Sequence, residues 1–280
     1  MKVRAENLGA LHRAEFTLGD LTIICGENNT GKTYATYALY GFLYFWKRDI
    51  PIEIPKKTIG ELLSDGAVVI DITEYQEKAL SFLEDGCSTY NKRLPMIFAA
   101  PAKNFEKSTF LIEVEPNEIH LSEEYENLAQ SANSKLFSIT KAQDKLDLIV
   151  TLLMGREALK VPQGVIAQVI GDALKEILFG SLFPTPFIVS AERTGAAIFR
   201  KELDFARNRL LEEIGKGDKN MDPMDLFFKV HKDYALPVKQ NVDFTRQLES
   251  TSKETSFIAE NQVLPVLAYL VDSAVRSFLP

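Results

Sequence analysis

"LTIICGENNTGKT", residues Leu21 to Thr33, decides how the rest of the chain is read. Its second part, Gly26 to Thr33, fits the pattern G-x-x-x-x-G-K-[ST], and each position in that pattern has a physical reason. Gly26 and Gly31 permit a backbone path on which successive N–H groups converge on phosphate oxygens, and the positive end of the following helix adds to the attraction. Lys32 is expected to reach the β- and γ-phosphates, and the Thr33 hydroxyl to ligate Mg²⁺. Glu27, Asn28, Asn29 and Thr30 complete the loop, so the cofactors expected are ATP and Mg²⁺. At average glycine usage such a pattern arises by chance in roughly one chain of this length per hundred. The flanks add to it. Leu21 to Cys25 is a continuous apolar run, expected as a strand buried on both faces. From Lys32 to about Trp46 only Gly41 interrupts a helix-forming stretch, and its aromatics leave little polar face, so that helix is expected to be buried.

Composition bounds the rest. A 280-residue chain that is 46% hydrophobic can bury one large core or two small ones. Its net charge of -7, with no strongly basic block, argues against a nucleic-acid coat, leaving at most a local basic face. Cys25 and Cys87 are the only cysteines, too few for a disulfide framework and consistent with a reduced, cytoplasmic setting. Met1 to Glu6 has no apolar targeting core, and the most apolar window, Tyr34 to Trp46, is too short to span a membrane. No membrane partner is expected.

Along the chain, Lys2–Glu6 and His12–Thr17 bracket the turn-prone Asn7-Leu8-Gly9 and read as a hairpin. Pro51 and Pro55 mark a break. Ile59 to Leu83 reads as two helices or a helix and a strand. Thr109–Val114 and Glu118–Leu121, split by Pro116-Asn117, read as a second hairpin. Helices are expected at Ser122–Gln130, Ala142–Met154 and Gln163–Phe179, the last with Val165, Ile166, Val169, Ile170, Leu174, Ile177 and Leu178 on one face. Phe187–Val189 reads as a short strand leading to a long helix over Ala196–Ile214, and Ile258–Phe278 as helix interrupted at Pro265. The organisation expected is a first lobe with the phosphate loop over 1–50, a largely helical insertion with a β-hairpin over 51–180, and a return to the first lobe over 181–280.

The N-terminal hairpin, the phrase "LTIICGENNTGKT" and Asn28 at the third loop position resemble the ABC-type ATPases of the SMC/RecF/OLD group. The run "FIVSAERTGAAIFRKELDFARNRLLEEI" resembles a segment of bacterial AAA-family proteins in that group, several of them linked to anti-phage defence. Together the two matches touch about 60 residues. The resemblance implies an α/β P-loop ATPase head with a mixed sheet, in which two ATP-bound heads dimerise and each lends a signature segment to the other's γ-phosphate. It also implies a Walker B strand after that signature, with a Glu following its Asp. The chain ends at Pro280 before such a strand. An N-terminal part of a longer head, or a shortened one, is therefore expected, binding nucleotide weakly and hydrolysing little.

Other stretches are less decisive. Glu192-Arg193, at a strand end, is either a polar pair near the nucleotide or dimer seam or a salt-bridged helix start capped by Ser190 or Thr194. These two, Glu192 and Arg193, are the catalytic candidates that the sequence offers. "AVVID", Ala67 to Asp71, has the shape of a Walker B strand in the wrong order and without the Glu, and reads more simply as an ordinary strand or buried helix. "DSAVRS", Asp272 to Ser277, is either the signature or the polar end of the last helix. His12-Arg13 reads as a solvated strand edge before an adenine contact. Arg200, Lys201, Arg207 and Arg209 are interleaved with acids and read as a solvated face before a DNA track. The function expected is a cytoplasmic, dimerising ATP-binding head whose nucleotide state controls a partner nuclease, toxin or DNA-engaging effector. Its alternatives are a self-contained P-loop kinase or nucleotidyl enzyme, with Glu192 or Asp71 as the acid, and a non-catalytic nucleotide-binding adaptor.

Overall fold

The computed structural model describes residues 1–131, 134–154, 161–190 and 234–251. The chain divides into two compact units, Met1–Phe187 and Ile188–Pro280.

The first unit opens with the expected hairpin, β1 (Lys2–Leu8) and β2 (Leu11–Thr17), closed by Gly9-Ala10 with Leu8 facing Leu11. Gly9 has φ 60, which suits a two-residue loop whose twist matches that of the strands. β4 (Thr109–Glu113) pairs antiparallel with the other edge of β1, giving the order β2-β1-β4. Its register sets Ile112 beside Val3 and Phe110 beside Ala5, and all four side chains are buried. The alternate positions carry Lys2, Arg4, Glu6, Arg13, Glu15 and Glu113, and Arg4 pairs with Glu15 at 2.9 Å and with Glu113 at 2.6 Å on the wet face. Period-two alternation thus makes one apolar face, and the helix that begins at Lys32 packs against β1 and β2.

That helix, α1 (Lys32–Asp49), buries Ala35, Tyr37, Ala38, Tyr40, Gly41, Phe42, Phe45 and Trp46. Behind it lies α4 (Ala79–Asn91), where the buried Tyr90 hydroxyl donates to the Ala38 carbonyl at 2.6 Å. Gly41 makes that approach possible, since a Cβ there would lie 2.6 Å from the Tyr90 oxygen. Trp46 stands edge-on to Phe179, with ring centroids 5.0 Å apart, and packs equally close to Phe183. At the same C-terminal end of α1, the buried Lys175 donates to the Ile50 carbonyl at 2.8 Å and the Lys47 carbonyl at 3.3 Å while pairing with Asp172 at 2.9 Å. It satisfies carbonyls that a helix C-terminus leaves without partners.

A second sheet runs β3-β7-β6-β5, every pair antiparallel, from β3 (Ala67–Asp71), β7 (Asp147–Leu152), β6 (Ser134–Lys141) and β5 (Tyr125–Ser131). Val68, Ile70, Leu148, Val150, Phe137 and Ile139 form its buried face. α2 (Lys56–Asp65) packs on β3, and α6 (Gln163–Phe179) lies against α2 and β5. The short helices α3 (Ile72–Glu77) and α5 (Leu94–Ile97) complete the unit.

Six expectations are corrected here. The stretch expected as a helix over Ser122–Gln130 contains strand β5, and the one over Ala142–Met154 contains strand β7, because each gains a ladder partner in β6. The second hairpin does not form: β4 pairs with β1, and Pro116–Glu118 is a 3₁₀ turn. Leu21–Cys25 is no buried strand but a segment outside the described ladders, with Leu21 80% and Ile23 76% exposed. Phe187–Val189 likewise forms no ladder, and Phe187 and Val189 are exposed. The stretch 51–180, read as largely helical, contributes five described strands beside its helices. All described strand pairings are antiparallel.

In the second unit, α7 (Leu236–Thr251) is tied to the residues before it by Asn241. The Asn241 side chain accepts from the Ser190 amide at 2.9 Å and donates to the Ile188 carbonyl at 2.8 Å and the Pro237 carbonyl at 2.9 Å. No described helix is long and apolar enough to cross a membrane.

Candidate phosphate-binding site

α1 begins at Lys32, directly after the loop, and its N-terminus carries neither an acidic residue nor a side-chain cap. The amides of Lys32, Thr33 and Tyr34 in that first turn find no acceptor among the described residues. They are the orphan donors that make a helix start attractive to anions. Gly31 precedes them at φ 92, a left-handed conformation in which a Cβ would also come within 2.9 Å of Leu11 Cβ. Asn29 adopts φ 63, tolerable for its short polar side chain. The Thr30 hydroxyl donates to the Glu27 carbonyl at 2.9 Å and holds the loop across its middle.

Lys32 turns back over the loop, donating to the Gly26 carbonyl at 2.7 Å and to the Glu27 carbonyl at 2.5 Å. Its ammonium therefore stands beside the loop's own backbone, where an anion held by the amides would meet it. Thr33 is exposed. The Thr36 hydroxyl back-bonds to the Thr33 carbonyl at 3.1 Å and is engaged within the helix. Backbone donors, one mobile point charge and a hydroxyl fit a magnesium-bound polyphosphate. Among the described residues no group of three or more His, Cys, Asp or Glu could hold a metal ion. Magnesium would here take Thr33 and phosphate oxygens with its own waters, in keeping with its habits.

The structure thus brings together Gly26, Glu27, Asn28, Asn29, Thr30, Gly31, Lys32 and Thr33 in one loop and helix start. Glu192, Arg193, the Ala196–Ile214 helix and Asp272–Ser277 lie outside the described residues. Asp71 belongs to β3 of the other sheet and accepts from the Thr73 amide at 2.8 Å as the cap of α3. Its hydrogen bonds with Thr73 hold its carboxyl below the usual range. Ala67–Asp71 is thus a strand, one of the two plainer alternatives to a Walker B segment, and the cap at its end goes beyond that reading. His12 is exposed on β2, an edge strand, and Arg13 stands 3.6 Å from both Glu6 and Glu15, again the plainer reading. Sequence reasoning missed Gly9, Leu11, Tyr34 and Phe98, which surround the helix start. Only Gly9, as a turn residue, left a signal.

The two thiols differ sharply. Cys25, just before the loop, is exposed, whereas Cys87 is buried and burial pushes its pKa up to about 11. Since the thiolate is the reacting species, one fast and one protected thiol are expected in the native protein at pH 8. Peptide mapping after brief alkylation should find Cys25 labelled; equal labelling of Cys87 would contradict this burial.

Comparisons with protein-family models, curated proteins and solved structures found no match.

Proposed function

We propose that the protein binds Mg-ATP at Gly26–Thr33 and acts as a P-loop ATPase head of the ABC/SMC type. Its output is conformational: nucleotide state controls the pairing of two copies and, through it, a nuclease, toxin or DNA-engaging effector, with phage defence as the setting and the cytoplasm as the compartment. The observation that carries this reading is the helix start itself, with amides that find no acceptor among the described residues, left-handed Gly31 and the Lys32 ammonium gathered on one loop. Bound Mg-ATP supplies a triphosphate whose charge these donors hold. The loop amides orient it, Lys32 balances its charge, and Thr33 offers its hydroxyl to the metal. The kinase alternative loses support where Asp71 is concerned, because that carboxylate is engaged in capping α3.

If pairing follows nucleotide, the native chain should double its mass in sedimentation when Mg-ATP is added. Lys32→Ala should remain at the monomer mass under the same conditions. An unchanged mass with bound ATP would remove the dimerising head and leave a nucleotide-binding adaptor.

A further inference from the structure

We propose that the β1–β2 turn is a positioning element for the phosphate loop, with Gly9 and Leu11 holding the residues on either side of Lys32. The inference rests on the reading of Gly26–Thr33 as a polyphosphate site. Two close approaches carry it. A Cβ at Gly9 would fall 2.2 Å from Cε1 and Cζ of Tyr34, so the turn backbone lies directly against that ring. A Cβ at Gly31 would fall 2.9 Å from Leu11 Cβ and 3.1 Å from Leu11 Cα, so the start of β2 lies directly against the loop's last residue. Gly31 precedes Lys32 and Tyr34 follows Thr33, so the turn grips the helix start at both ends of the residues that would meet phosphate.

The grip is itself anchored. Asn7 donates from its side-chain amide to the Lys107 carbonyl at 3.2 Å, and the Ser108 hydroxyl donates to the Asn7 carbonyl. Tyr34 stacks on Phe98 with centroids 5.1 Å apart, and Phe98 stacks on Phe105 at 5.6 Å. The loop between Gly26 and Thr30 is exposed and has few contacts of its own. Its geometry is therefore set from its ends, and the helix end is fixed by the hairpin. Preorganised donors bind better because less ordering remains to be done on binding.

The test is equilibrium binding of magnesium tripolyphosphate, a probe without a base, to the full chain. Gly9→Ala introduces the clash with Tyr34, and Tyr34→Ala removes the ring. Each should weaken binding tenfold or more, and the double variant should be no weaker than the worse single, since both act through one contact. Leu11→Ala only deletes atoms and should weaken binding severalfold even if Gly9→Ala fails to fold. Phe137→Leu, in the other sheet, should lower the Tm without changing affinity. Native affinity in Leu11→Ala or a folded Gly9→Ala, multiplying losses in the double variant, or an equal loss in Phe137→Leu would each overturn the proposal. Binding by the native chain that is lost in Lys32→Ala but kept in Gly9→Ala overturns the positioning role alone. No binding by the native chain overturns the site as well.

Discussion

Lys32→Ala should abolish measurable ATP binding while leaving the fold intact. Hydrogen bonds to charged groups contribute about 1.5–3 kcal/mol each. A lysine reaching two phosphates therefore accounts for about 3–6 kcal/mol, or roughly two to four orders of magnitude in affinity. The structural cost is small by comparison, because among the described residues the Lys32 ammonium donates to the Gly26 and Glu27 carbonyls of an exposed loop. Those carbonyls can turn to water when the ammonium is removed. Calorimetric titration with Mg-ATP and a thermal melt on the same sample separate the two effects. Equal affinity in native and variant protein would remove Lys32 from the site, and a collapsed melt would mean that the lysine holds the fold instead.

The largest stability effect is expected at Trp46, the chain's only tryptophan, which is 2% exposed. Its ring meets Phe42, Phe179 and Phe183 within 5.0–5.6 Å, and Gly86 is a glycine because a Cβ there would lie 2.6 Å from the indole. α1, α4, α6 and Phe183 therefore converge on one side chain. Trp46→Ala leaves a cavity that aromatic rings cannot easily fill and should cost about 3–5 kcal/mol. Circular dichroism rather than fluorescence must follow the denaturation, since the variant has no tryptophan. A shift in midpoint worth less than about 1 kcal/mol would mean that this cluster is not the core of the unit.

The parts of this fold that sequence made legible are those whose signal is local. Gly31 and Lys32 mark a glycine turn running into a helix, and α1 begins at Lys32 directly after a left-handed Gly31. α6 spans Gln163–Phe179 as expected, because one apolar face at helical spacing needs no knowledge of what covers it. The hairpin of β1 and β2 follows from its turn and its alternation. The misread elements depended on partners. Tyr125–Ser131 contains Glu, Leu, Ala and Gln, all tolerant of helix, and becomes a strand through pairing with β6. Asp147–Leu152 is a short apolar run that periodicity alone cannot assign, and β3 and β6 on either side decide it. Leu21–Cys25 shows the opposite failure: an apolar run suggests burial, yet it joins no ladder with a described strand. The braces around the loop, Gly9 on Tyr34 and Leu11 on Gly31, join residues far apart in sequence and on different elements, and no spacing rule announces them.

The most direct measurement is backbone amide NMR of the native chain titrated with Mg-ATP. Saturable shifts centred on the amides of Gly26 to Tyr34, reproduced by magnesium tripolyphosphate and absent with AMP, are the result expected of a polyphosphate held by the loop and the start of α1. Unmoved loop amides at millimolar Mg-ATP, or saturable shifts that map elsewhere on the chain, would contradict it.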